Sequence, residues 1–152
     1  MTRILGVDLG ERRIGLAIAD DDGGRAMPLA TLPRSADETS EIAALARVIA
    51  EQDVTEIVVG LPFEASGREG RQAEITRAWV DAVGARLGVR VTFRDERLTS
   101  HLAEERVGPM KRGRSGGPPT RSQREAYRAR IDREAAAIIL QDELDARPER
   151  GR

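Results

Sequence analysis

Residues 54–94 carry strand, helix and strand signals in that order, and this succession constrains the chain more than any single motif does. Glu56-Ile57-Val58-Val59-Gly60 is a compact apolar run, ended by Leu61-Pro62, of the kind buried on both faces of a sheet. Ile75, Trp79, Ala82, Val83 and Leu87 then recur at helical spacing over about residues 69–87. Gly88 closes that helix, and Val89–Arg94 is a second short strand. Two strands joined through a helix pair in parallel by a right-handed crossover. The N-terminus has a different pattern: Arg3–Leu9 and Ile14–Asp20 are short, apolar and β-rich, and Gly10-Glu11-Arg12-Arg13 joins them as a hairpin. Asp21-Asp22-Gly23-Gly24 turns the chain into a third strand over Ala26–Leu32.

Ser35 and Glu38 have capping-box spacing ahead of Ile42, Leu45, Ala46 and Ile49, which predicts a first helix over about residues 36–52. Leu98–Val107 reads as a short helix capped by Thr99 or Ser100. Gly108 to Ser122, rich in Gly, Pro and Arg, reads as a mobile loop, and a last helix follows over about 123–146 with Ala135, Ala136, Ile139 and Leu140 on its apolar face. The expected architecture is α/β: a mixed five-stranded sheet, three antiparallel strands and then parallel ones, flanked by helices. One domain is expected over 1–146, with a basic Gly/Pro-rich loop at about 108–122 and a polar tail at 147–152.

A chain of 152 residues can bury roughly 70% of its unfolded surface without staples. It has no cysteine, which excludes disulfide scaffolds, thiolate zinc sites, iron–sulfur clusters and a cysteine nucleophile. Its one histidine, His101, excludes histidine-cluster zinc sites. No apolar run approaches the roughly 18 residues of a membrane span, and Met1 leads into no signal-peptide pattern, so a cytoplasmic protein with no membrane partner is expected. The formal charge of −1 hides an asymmetry: residues 1–110 carry 14 basic and 19 acidic side chains, residues 111–152 carry 11 basic and 7 acidic. Lys111, Arg112, Arg114, Arg121, Arg124, Arg128, Arg130 and Arg133 face only Glu125 and Asp132 in that stretch. Such a run is either a solvated basic loop or a phosphate-binding surface. With four aromatics (Phe63, Trp79, Phe93, Tyr127), binding by base stacking is disfavoured.

Three acids stand where acids are costly. Asp8 sits inside Ile4-Leu5-Gly6-Val7-Asp8-Leu9-Gly10, where it needs a partner, whether a turn amide, an arginine or a cation. Asp95 and Glu96 end the last parallel strand, the edge of an α/β sheet where sites form. Asp132 precedes Ala135, Ala136 and Ile139 by three, four and seven residues and so shares their inward helical face. Converging acids repel unless a cation neutralises them, and oxygen donors without sulfur or imidazole suit magnesium or manganese.

Gly6-Val7-Asp8-Leu9-Gly10 with Ile14-Gly15-Leu16-Ala17, Val58-Val59-Gly60-Leu61-Pro62, Asp95-Glu96-Arg97-Leu98-Thr99 and the run from Ile131 to Leu140 occur in this order over about residues 3–145. In them the chain resembles the YqgF/RuvX family of pre-16S rRNA nucleases, earlier described as Holliday-junction resolvases. The resemblance implies an RNase H-like fold in which Asp8, Glu96 and Asp132 are the catalytic, metal-binding acids. Phosphodiester cleavage would then use Mg2+ or Mn2+, as a pair of ions about 3.5–4 Å apart. Arg97 would hold a phosphate oxygen or orient Glu96, and Thr99 would either present a helix N-terminus to phosphate or cap without touching ligand. From the basic run itself, Lys111, Arg112, Arg114 and Arg121 are expected to bind nucleic acid, with structured precursor rRNA favoured over branched DNA and a monomer or homodimer as the working form. The segment from Gly108 to Arg130 is longer than the basic loop expected of such proteins.

Two other classes compete. An actin-type or sugar-kinase-type ATP-binding fold also begins with an Asp-x-Gly hairpin, but it needs a second such domain and this sequence has no second Asp-x-Gly strand. A non-catalytic nucleic-acid-binding module would keep the fold without the metals, and the presence of all three acids weighs against it.

Overall fold

In a strand successive side chains alternate between faces, and that alternation organises the computed structural model of this protein, which describes residues 2–64, 66–96 and 99–148 and, at Arg114, the backbone. Five strands, β1 (Arg3–Leu9), β2 (Arg13–Asp20), β3 (Met27–Pro33), β4 (Val54–Pro62) and β5 (Arg90–Glu96), form one sheet in the order β3-β2-β1-β4-β5. β1–β2 and β2–β3 pair antiparallel, and β1–β4 and β4–β5 pair parallel. The mixed α/β architecture expected from the sequence is the one observed.

Leu5, Val7, Leu9, Ile14, Leu16, Ile57 and Val59 point to one face, where they pack with Ile42 and Leu45 of α1 (Glu38–Gln52) and Val83 of α2 (Arg71–Leu87). Leu5, Leu16 and Leu45 are wholly buried, each stabilising by roughly 2–3 kcal/mol. The alternate residues, among them Ile4, Ala17, Ala19 and Val58, meet Ala136, Ala137, Ile139 and Leu140 of the long last helix on the other face. Ala103 of α3 (Thr99–Val107) packs on Ala135 and Ile138 of that helix, α4 (Arg121–Ala146).

The α4 face of the sheet is floored with small residues. A Cβ on Gly6 would stand 2.8 Å from both the Ala136 carbonyl oxygen and the Leu140 Cβ, and one on Gly60 would stand 2.5 Å from Ile139 Cδ1. One on Gly15 would overlap the carbonyl oxygen of Asp132. The helix therefore rests with its backbone directly against the strands, a separation that only glycine permits.

Boundaries differ from the sequence reading in identifiable ways. Asp37, not Ser35, caps α1: its side chain accepts from the Thr39 amide, while the Ser35 hydroxyl accepts from the Asp37 amide. β3 begins at Met27 instead of Ala26, and β5 extends to Glu96 because it stays paired with β4 as far as Pro62. The loop expected to reach Ser122 ends earlier, since Thr120 and Gln123 form a reciprocal capping box that starts α4 at Arg121. Within 108–120 a single 3-10 turn forms at Arg114–Gly116, and the Tyr127 hydroxyl donates to the Gly108 carbonyl at 2.7 Å, tying the segment to α4. No described helix is long and apolar enough to cross a membrane.

Candidate active site

The period of two that sends Leu5, Val7 and Leu9 to one face sends Ile4, Gly6 and Asp8 to the other, so Asp8 reaches the α4 side at the C-terminal end of β1. In β5 the same alternation separates the neighbouring acids: Asp95 is exposed, whereas Glu96, aligned with Pro62 of β4, is largely buried. Asp132 arrives from α4. Its backbone lies on Gly15, and Gly15 is the cross-strand partner of Asp8. The glycine floor thus brings the helix acid beside the strand acid. All three line one cleft of about 400 Å³, walled by Gly60, Pro62 and Phe63 and edged by Glu11, Gln72 and Thr99.

Burial raises all three acids above the ordinary carboxylate range, and at Asp8 the charges of the other two add to it. Asp8 is pushed up from 3.8 to about 7, by burial first and then by the charges of Asp132 and Glu96. Glu96 is also pushed up to about 7, chiefly by burial. The Thr99 hydroxyl, donating to its Oε2 at 2.5 Å, and Arg94 pull the other way, while the neighbouring carboxylate of Asp142 raises it further. The Oε1 atom of Glu96 is buried without a hydrogen bond, as is Arg94 Nε 4.0 Å away. Asp132 is raised by burial, which outweighs the opposing guanidinium of Arg13, whose Nε stands 2.5 Å from its Oδ2, and the charges of Arg128 and Arg133.

Crowded carboxylates and an orphaned buried oxygen are the donor chemistry that a hard divalent cation relieves. The side chains do not stand at ligand spacing: among the described residues no group of three Asp, Glu or His is set to hold a metal ion. Asp132 is turned onto Arg13, and Glu96 onto Thr99.

The hairpin that carries Gly10 and Glu11 to the cleft is braced from behind. Arg34 Nη1 donates to the Gly10 carbonyl at 2.9 Å, and its Nε donates to Glu41 at 2.9 Å. Glu41, buried, also accepts from the Ser35 amide and from the Trp79 indole at 3.1 Å. These donors and the Arg34 charge outweigh its burial and hold its carboxyl below the usual range. Trp79 therefore packs in the core as its spacing predicts and carries a polar link as well.

The other expected site residues fall differently. Thr99 is the first residue of α3 and buried, and instead of capping it places its hydroxyl on Glu96. Arg97 lies outside the described residues, and so does the side chain of Arg114. Lys111, Arg112 and Arg121 are exposed and do not line the cleft; Arg121 pairs with Glu125 one turn on, and Arg112 donates to the Gly116 carbonyl. His101 is exposed beside Glu105, away from the cleft lining. Arg13, Arg94 and Asp142 were not singled out by the sequence. Two of these left a signal: Arg13 stands two residues before the glycine opposite Asp8, and Arg94 two residues before Glu96, each on a sheet face that carries an acid of the cleft.

With this geometry in view, comparisons with known proteins give a consistent picture. The RuvX family, described as Holliday junction resolvase, matches residues 2–146. A Chloroflexus aggregans protein named "Putative pre-16S rRNA nuclease" is 44% identical over 144 residues, covering 95% of this chain and 94% of that protein. One of the same name from Anaeromyxobacter dehalogenans is 43% identical over 145 residues, covering 95% and 98%. Among solved structures, T. thermophilus RuvC in complex with Holliday junction substrate shares the fold, with a TM-score of 0.54 at 17% identity over 95% of this chain and 94% of that one.

Proposed function

The chain belongs to the RuvX family, and from that premise we propose that it is a divalent-metal-dependent phosphodiester nuclease that processes the 5′ end of precursor 16S rRNA. The observation that carries the reading is the convergence of Asp8, Glu96 and Asp132 on one cleft from three distant parts of the sequence. Those three side chains would hold magnesium or manganese, as two ions. When bound, the metal supplies Lewis-acid charge to the scissile phosphate and its attacking water. Thr99 orients Glu96 through its hydroxyl, and the glycine contact at Asp132 fixes the distance between helix and strand.

Arg97, Thr99, Lys111, Arg112, Arg114 and Arg121 remain the proposed nucleic-acid contacts. Exposure of Lys111, Arg112 and Arg121 away from the cleft suits them to the backbone flanking the cut. Truncating Arg112, Arg114 and Arg121 together to Ala is expected to lower the slope of log affinity against log salt by about 2, since each lost phosphate contact removes roughly 0.7–0.9. Fluorescence anisotropy of a labelled RNA over a salt series measures it, and an unchanged slope returns these residues to a solvated loop.

The family's description supports a second reading, resolution of four-way DNA junctions, which would require a symmetric dimer with paired sites. Purified protein incubated with a labelled precursor-16S fragment, single-stranded RNA, single-stranded DNA and a four-way junction, with magnesium, manganese or chelator, separates the two. Metal-dependent cutting of the precursor is the expected result. Symmetric junction cutting moves the function to recombination, and binding without cutting anywhere makes the protein a non-catalytic module.

A further inference from the structure

We propose that Arg13 is a resident counter-ion of the site, a positioning residue that neutralises Asp132 in the metal-free protein and must release it for a cation to be held there. The inference rests on the reading of Asp8, Glu96 and Asp132 as a cation site.

Arg13 opens β2 on the face turned toward α4, the face of Gly15, Ala17 and Ala19. Its Nε stands 2.5 Å from Asp132 Oδ2, with the two side chains only 26% and 21% exposed. This is a half-desolvated pair, stronger than an ion pair free in solvent. The other cations near Asp132 do not take its place: Arg133 Nη1 is on the Thr31 hydroxyl, and Arg128 acts through its charge alone. The guanidinium occupies one lone pair of Oδ2 and turns the carboxylate toward itself, and its charge opposes the arrival of a divalent ion.

The exchange requires only side-chain motion. The hairpin backbone around Arg13 is fixed, because the Gly10 amide donates to the Arg13 carbonyl and the Arg34 amide to the Arg12 carbonyl. Asp132 is fixed in turn by its seat on Gly15. The long arginine stem between two fixed backbones is the part that can swing. A merely structural brace makes the opposite prediction: if Arg13 served only to aim Asp132 at the metal, removing it would weaken metal binding.

Isothermal titration of Mn2+ and Mg2+ into the chelator-treated protein reads the sign directly. Arg13→Gln is expected to bind Mn2+ about tenfold more tightly than wild type, the equivalent of one charge-assisted hydrogen bond no longer broken. Its metal-free melting temperature is expected to fall, with the gap to wild type closing as metal is added. Arg13→Lys, which keeps the charge but loses the planar guanidinium, is expected to tighten binding two- to threefold, and it decides the matter if Arg13→Gln does not fold. Equal or weaker binding by the variant that folds, with wild type binding normally, overturns the proposal alone. Failure of wild type to bind either ion overturns it together with the cation-site reading.

Discussion

Asp8→Asn is expected to abolish cleavage and, in the absence of metal, to raise the melting temperature at pH 8. The first effect follows from removing a charged ligand from the proposed metal site, with a loss of about 10³-fold or more. The second follows from linkage. The folded-state pKa of Asp8, about 7, lies above its ordinary value of 3.8, so the folded protein binds this proton more tightly than the unfolded chain. The resulting stability is fully present below pH ~4 and is lost as pH rises through 7. At pH 8 wild type therefore carries a buried anion between Asp132 and Glu96, an expense of order 4 kcal/mol, and Asn carries none. For a chain of this size that is roughly 10 °C, shrinking toward zero as pH falls to about 4. Thermal melts from pH 4 to 8 with chelator measure it. A variant that melts no higher than wild type at pH 8, or one that still cuts, contradicts the assignment of Asp8.

Gly15→Ala should be the most damaging single methyl group in the protein. Its Cβ would overlap the Asp132 carbonyl oxygen, which is main chain and cannot rotate away, so α4 must lift from the sheet. Overpacking of this kind costs about 3 kcal/mol. The consequence for catalysis is larger, because a shift of roughly 1 Å between reacting groups costs on the order of 10²-fold, and here the shift separates Asp132 from Asp8. Gly84→Ala is the control. That glycine lies inside α2, its Cβ would meet Val91 at an ordinary 3.4 Å, and alanine there should stabilise by up to about 1 kcal/mol. Denaturation midpoints and cleavage rates for both variants test the contrast. A Gly15→Ala protein as stable and active as wild type would show that the helix does not set the spacing of the acids.

The sheet was legible in the sequence because its signals are local: apolar alternation in β1 and β2, a continuous apolar run in β4, and a crossover too long for a hairpin. Asp8 and Asp132 were legible because each interrupts an apolar face whose period is known. The choice of Glu96 over Asp95 came from family resemblance, and the structure supplies the physical reason in the pleat, which turns Glu96 to the α4 face. What could not be read is long-range pairing. The Arg13–Asp132 contact spans 119 positions, and Glu96 meets Asp142 across 46, so neither leaves a pattern in a window of sequence. The start of α4 was missed for a different reason. Gly116-Gly117-Pro118-Pro119 looks like continuing loop, whereas Thr120 and Gln123, which carry the capping signal, are inconspicuous beside the arginines.

The brace behind the hairpin also gives the molecule an optical property. Trp79 is the chain's one tryptophan, and its indole N–H ends on a carboxylate that also accepts from Arg34, which holds the Gly10 carbonyl at the cleft. Its emission is therefore tied through two hydrogen-bonded side chains to the loop at the edge of the cleft. Rearrangement of that loop can be followed in the unlabelled protein by the colour of a residue that itself never faces the cleft.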